Sequence, residues 1–186
     1  VTEMENAGCE VISAVPYNAI LKVCARRGQD QRAERWFRQM EDAGVQPDRV
    51  SYLLMVKACS QVGDLEGASR WIERMEEAGS SPGREHFHAV MSAHARARDS
   101  EGAEAWMRVM QDRGLEPDTY TYNIWLSAAA SQGSAEQAIA IVSQMEDNDI
   151  ALDLVTYSTA IGVFAEAGDA EGARNWLYRA ERQGLE

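Results

Sequence analysis

Between residues 30 and 42 the apolar side chains fall at Ala33, Trp36, Phe37 and Met40, with charged and amide residues between them. This i, i+3, i+4, i+7 stripe marks an amphipathic helix with one face turned to a core. The stretch from Pro16 to Arg27 reads as a partner helix. Pro16 suits a helix start, where its missing N–H would have had no partner, and Gly28 stops the helix because glycine takes the left-handed capping conformation without steric penalty. Gly44 ends the second helix, and Pro47 blocks its continuation. Together the two segments predict a helical hairpin.

The hairpin recurs. At steps of 35 residues lie Ala33, Ala68, Ala103, Ala138 and Ala173; then Trp36, Trp71, Trp106, Ile141 and Trp176; then Met40, Met75, Met110, Met145 and Ala180. The aromatic series Tyr17, Tyr52, Phe87, Tyr122, Tyr157 shares the frame. So do two glycine series, Gly28, Gly63, Gly133, Gly168, with Arg98 substituting once, and Gly44, Gly79, Gly114, Gly184, with Asp149 substituting once. Opening the frame at Ala14 gives units 14–48, 49–83, 84–118, 119–153 and an incomplete 154–186; residues 1–13 resemble the end of an earlier unit, through Met4-Glu5-Asn6-Ala7-Gly8. Asp64, Asp99, Ser134 and Asp169 precede the later second helices and suit N-cap or first-turn sites. The small Ala lets each second helix approach the first, and Trp and Met fill the space between neighbours. One hairpin cannot bury its own faces, so the predicted fold is all-α, an α-solenoid of stacked helix-turn-helix repeats.

Composition narrows the chemistry. The chain has 186 residues, 45% apolar with five Trp, too apolar for disorder, and no stretch long enough for a membrane span, so membrane insertion is not expected. Cys9, Cys24 and Cys59 are odd in number and lack C-x-x-C spacing, which predicts reduced, mostly buried thiols rather than a disulfide framework or zinc ribbon. His86, His88 and His94 do not share a helical face with a carboxylate, so no metal site is expected. There is no nucleophilic triad or phosphate-cradling loop, which argues against an enzyme and against a cofactor. The charge balance, 18 basic against 30 acidic residues, is −12. Taken alone, it opposes a nucleic-acid surface built on Lys and Arg.

The tetratricopeptide type places its Trp in the first helix, whereas here the periodic Trp series lies in the second. Val155-Thr156-Tyr157-Ser158 and Tyr120-Thr121-Tyr122-Asn123 at helix openings, with Gly44-Val45-Gln46-Pro47-Asp48 and Gly114-Leu115-Glu116-Pro117-Asp118 closing units, resemble pentatricopeptide repeats over nearly the whole chain. The resemblance implies binding of single-stranded RNA, one base per repeat. It implies base reading by Asn18 with Asp48, Leu53 with Gly83, His88 with Asp118, and Asn123 with Asp153; Ser158 is left without a partner. An Asn amide offers donor and acceptor to a base edge, and a carboxylate beside it can orient it or accept from the base. By the same resemblance the two Asn–Asp pairs favour pyrimidines, uridine before cytidine, and Leu53 with Gly83 supplies spacing. Base-sandwiching positions would be Val15, Val50, Glu85, Tyr120 and Val155, among which Glu85 puts a charge near the RNA.

Phosphate contacts would come from Lys22, Arg26, Lys57 and Arg96 on the first helices. Most carboxylates fall on second helices and turns, as in Glu41-Asp42, Glu76-Glu77 and Asp147, so the acidity predicts weak, salt-sensitive binding concentrated toward the N-terminal units. The resemblance also implies a mitochondrion or chloroplast as the site of action. The alternative is a scaffold holding protein subunits of a large organellar complex, such as a ribosome or respiratory assembly, which the acidic balance and the nonstandard pairs favour.

Overall fold

The computed structural model describes residues 13–184, which form ten α-helices and no strand. The helices are α1 (Val15–Arg26), α2 (Asp30–Asp42), α3 (Arg49–Val62), α4 (Leu65–Glu77), α5 (Arg84–Arg96), α6 (Ser100–Asp112), α7 (Thr119–Ser131), α8 (Ala135–Asp147), α9 (Leu154–Glu166) and α10 (Ala170–Arg182). Cys9 and all but Ser13 of the segment assigned to an earlier unit lie outside the described residues. None of the described helices is long and apolar enough to cross a membrane.

Turn chemistry sets the helix ends. Asp64, Asp99, Ser134 and Asp169 each accept the backbone N–H three residues on, from Gly67 (2.8 Å), Gly102 (2.8 Å), Gln137 (3.2 Å) and Gly172 (2.9 Å). Gly102 is needed for space: a Cβ there would lie 2.1 Å from Nδ1 of His94, which bonds Asp99 at 2.8 Å. The glycines closing the helices adopt φ between +60° and +79°. Arg98 and Asp149, the two substitutes in those series, keep the left-handed conformation at φ 56° despite their side chains. Backbone position, rather than residue type, is what the period preserves there.

The chain divides into two compact units, Val1–Ala93 and His94–Glu186, with α5 running across the division. In the first, α1 packs on α2 and on α3, and α3 packs on α4. Tyr17, Leu21, Ala33, Phe37, Met40, Tyr52, Met55, Ile72 and Met75 fill the space between them at 3% exposure or less. Burying each large side chain contributes about 2 kcal/mol. Phe37 meets Tyr52 and Trp71 edge-on, at centroid distances of 5.2 and 4.7 Å. Arg74 caps this cluster 4.8 Å from the Trp71 ring while bonding Glu41 at 2.6 Å. Cys24 and Cys59 are buried free thiols, and burial, with Asp64, Asp30 and Glu34 nearby, pushes the Cys59 thiol up to about 12.

In the second unit α7 packs on α6, α8 and α9, and α9 on α8 and α10. Met107, Met110, Leu126, Ala129, Ile141, Met145, Tyr157 and Val163 form its core. Arg179 repeats the Arg74 device over Trp176, 4.4 Å from its ring, and pairs with Glu146. The Trp series is less uniform than its spacing predicts. Trp71 and Trp176 are buried, whereas Trp36 and Trp106 are half-buried.

Candidate nucleic-acid interface

Three first helices open in the same way. Asp48, Asp118 and Asp153 are their N-caps, and each carboxylate accepts the N–H of a hydroxyl residue three positions on, Ser51, Thr121 or Thr156, at 2.8–2.9 Å. The hydroxyls reach back to the cap backbone and complete capping boxes. Each Asp thus has a structural task besides the reading role expected of it. The D-x-x-[ST] spacing, visible in the sequence, carries this signal.

The boxes of α3 and α9 reach back 30 or more residues to the preceding hairpin. Asn18 Nδ2 donates to the Asp48 carboxylate (3.1 Å), and Ser51 Oγ lies 2.7 Å from Asn18 Oδ1. In the second unit Asn123 Nδ2 donates to Asp153 (2.9 Å), and Thr156 Oγ1 lies 2.8 Å from Asn123 Oδ1. Carboxylate on one side and hydroxyl on the other fix which way the amide faces. The second N–H and the second lone pair of each amide are left for another partner. Burial pulls the carboxyls of Asp48 and Asp153 upward, but the bonds from Ser51 and Asn18, and from Thr156 and Asn123, hold both below the usual carboxylate range. Asn18 is half-buried, and Asn123 is 7% exposed.

Apolar side chains stand in solvent beside these pairs. Val15, on the same face of α1 as Asn18, is 70% exposed, and Val50, between Asp48 and Ser51, is 51% exposed. Tyr120 and Val155 take the corresponding places around Asn123, at 59% and 54%. Lys22, Arg26 and Lys57 in the first unit and Arg96 in the second are also exposed. Ser158 is exposed, its hydroxyl donating to the Val155 carbonyl at 3.1 Å.

The other expected pairs differ. Leu53 is half-buried and Gly83 buried, so no polar side chains meet. His88 is half-buried in the first unit; Asp118 belongs to the second, where it caps α7. Glu85 is not a bare charge, because its carboxylate pairs with Arg49 at 3.2 Å. Burial raises its carboxyl, but its own backbone N–H, His86 and Arg49 together hold it below its ordinary value. His86 stands where Ser or Thr stands in the other boxes. The Gly83 N–H donates to its Nδ1 (3.2 Å), leaving the Nε2 proton to be donated to the Arg49 carbonyl (3.2 Å). Neither residue follows from spacing: His86 departs from the Ser or Thr of its register, and the register of Arg49, which runs Ala14, Arg49, Arg84, Thr119, Leu154, holds no constant residue.

The family model of the pentacotripeptide-repeat region of PRORP matches residues 3–140, and that of the PPR repeat matches residues 155–185. No curated protein matches the chain. Among solved structures it is similar to the pentatricopeptide repeat protein PPR10 from maize, with 24% identity and a TM-score of 0.80 over 98% of this chain and 26% of that one. It is similar to the PPR domain of Arabidopsis thaliana protein-only RNase P 1, PRORP1, in complex with tRNA, with 19% identity and a TM-score of 0.68 over 90% of this chain and 89% of that one. A third match is PPR10 in complex with an 18-nt psaJ RNA element, at 17% identity and a TM-score of 0.50 over 100% of this chain and 37% of that one. The chain spans about a quarter of the length of the maize protein, 26%.

Proposed function

The chain belongs to the pentatricopeptide-repeat family, and on that premise we propose that it binds single-stranded RNA, with Asn18–Asp48 and Asn123–Asp153 reading pyrimidine bases. The observation that carries the reading is that each unit holds one Asn amide oriented by a carboxylate, beside apolar side chains left in solvent. A base inserted between Val15 and Val50, or between Tyr120 and Val155, covers apolar surface and meets the remaining N–H and lone pair of the amide. Uracil and cytosine each present a donor and an acceptor on that edge. Stacking on Tyr120 contributes about 1–3 kcal/mol.

The matches to PPR10 in complex with an RNA element and to the PRORP1 domain in complex with tRNA support RNA as the ligand class. Lys22, Arg26, Lys57 and Arg96 contact phosphates, and the organelle is a mitochondrion or chloroplast. In this reading the array binds and does not cleave. The net charge of −12 favours one second reading, a scaffold for a basic protein subunit.

The test is a titration at low salt with labelled single-stranded pyrimidine RNA, single-stranded purine RNA, duplex RNA and tRNA. The proposal requires the pyrimidine strand to bind most tightly. A Kd weaker than about 1 mM for all four ligands removes it and leaves the scaffold.

A further inference from the structure

Three neighbouring positions break the repeat pattern at the opening of α5. Gly83 stands where the other units carry Asp48, Asp118 and Asp153; Glu85 stands where they carry Val15, Val50, Tyr120 and Val155; His86 stands where they carry Ser51, Thr121 and Thr156. Taken singly, they remove the reading carboxylate, an apolar sandwiching side chain and the hydroxyl of the capping box. In the structure all three converge on Arg49. His86 Nε2 bonds the Arg49 carbonyl, Glu85 bonds its guanidinium, and that guanidinium lies over Gly83, where an added Cβ would stand 2.2 Å from Nη2. A cation with fixed backbone therefore occupies the space that an aspartate fills elsewhere.

We infer that Arg49 and Glu85, set over Gly83 beside Leu53, form a guanine-accepting site in the second repeat. Guanine alone among the bases carries two adjacent ring-edge donors, N1–H and the N2 amine, next to the O6 acceptor. A carboxylate accepts from the two donors, and a guanidinium donates to O6 and N7. Among the described residues Arg49 spends one of its five N–H donors on Glu85, so donors remain for a base. The ion pair is exposed on both sides, at 56% and 48%, and pairs of that kind are weak enough to rearrange around a ligand. Leu53 supplies an apolar floor in place of the Asn amide. The site rests on the RNA-binding reading above and replaces the spacer role expected of Leu53 with Gly83.

The experiment is a titration of the full chain with pyrimidine RNAs of one length, in which a single guanine, adenine, inosine or abasic nucleotide is walked through every position. Guanine is expected to bind roughly tenfold more tightly than adenine at one position and not at the others. Inosine, which lacks the N2 amine, falls between them. The preference disappears in Arg49→Gln, in Glu85→Gln and in Gly83→Ala, the last of which keeps both charges and displaces the guanidinium. Equal circular dichroism and melting of the three variants shows that the fold survives. An abasic nucleotide binding as well as guanine assigns Arg49 to a phosphate and overturns the base site. Equal affinity for guanine and adenine at every position, with the pyrimidine strands still bound, overturns the site and leaves the RNA-binding reading standing. If no strand binds, both fall together.

Discussion

Replacing Asp153 with Ala removes more than a helix cap. Its carboxylate accepts from the Thr156 N–H at 2.9 Å and from Asn123 Nδ2 at 2.9 Å. Losing the cap costs about 1 kcal/mol. Asn123 is only 7% exposed, so the amide N–H that faced the carboxylate is left without its acceptor in a largely buried place. Leaving such a donor unpaired costs a further 1–3 kcal/mol, roughly. The expected loss for Asp153→Ala is therefore about 2–4 kcal/mol. Asp169→Ala is the control: that carboxylate caps α10 through Gly172 from an exposed position, and its loss costs about 1 kcal/mol. Asp153→Asn keeps an acceptor and a favoured cap residue, and it lies nearer the parent. Urea unfolding followed by far-ultraviolet circular dichroism measures all three. If Asp153→Ala is no more damaging than Asp169→Ala, the carboxylate and amide are not coupled and the orienting role is wrong.

Further outcomes follow from the same structure. Arg98→Gly relieves a non-glycine residue at φ 56° and stabilises the protein by about 0.5–1 kcal/mol, with a smaller gain for Asp149→Gly because Asp tolerates that conformation better; a thermal melt in which either variant is less stable than the parent refutes this. Burial, outweighing the Arg49 and Gly83 bonds and the nearby Glu85, holds His86 below its ordinary value of 6.5. The neutral ring's contribution to stability is thus complete above that value and is lost as the pH falls through the lowered one; His86→Ser removes this component, and identical pH profiles for parent and variant between about pH 7 and pH 5 contradict it. If Lys22, Arg26, Lys57 and Arg96 all neutralise phosphates, log K falls against log salt with a slope of about −3, and a nearly flat response removes that assignment.

Much of the fold is legible in the sequence because glycine and proline punctuate it. The segment 30–42 forms α2 with those bounds, and the predicted Pro16–Arg27 is Val15–Arg26, shifted by one residue at each end. The second-helix caps at Asp64, Asp99, Ser134 and Asp169 likewise follow from local spacing. Burial depth does not: Trp36 and Trp106 share a register with Trp71, yet they stay half-exposed, because depth depends on what packs over them.

The site is legible as positions and not as connections. That Asn18 and Asp48 belong together comes only from the resemblance, whereas the hydroxyl of Ser51 joining them depends on how one hairpin sits on the next. The cluster around Arg49 is invisible to a periodic reading for a plainer reason. Gly83, Glu85 and His86 break the period, Arg49 sits in a register with no constant residue, and Arg49 and Glu85 meet only because α3 and α5 begin side by side.

Selection of bases by the oriented Asn amides is read most directly from the affinity of Asn18→Ala, Asn123→Ala and the double variant for pyrimidine and purine strands of equal length. Each single change is expected to lower the pyrimidine-over-purine ratio, and the double variant to bring it close to one, with helix content unchanged. A ratio that stays at the parent value in the double variant shows that the amides do not select the base.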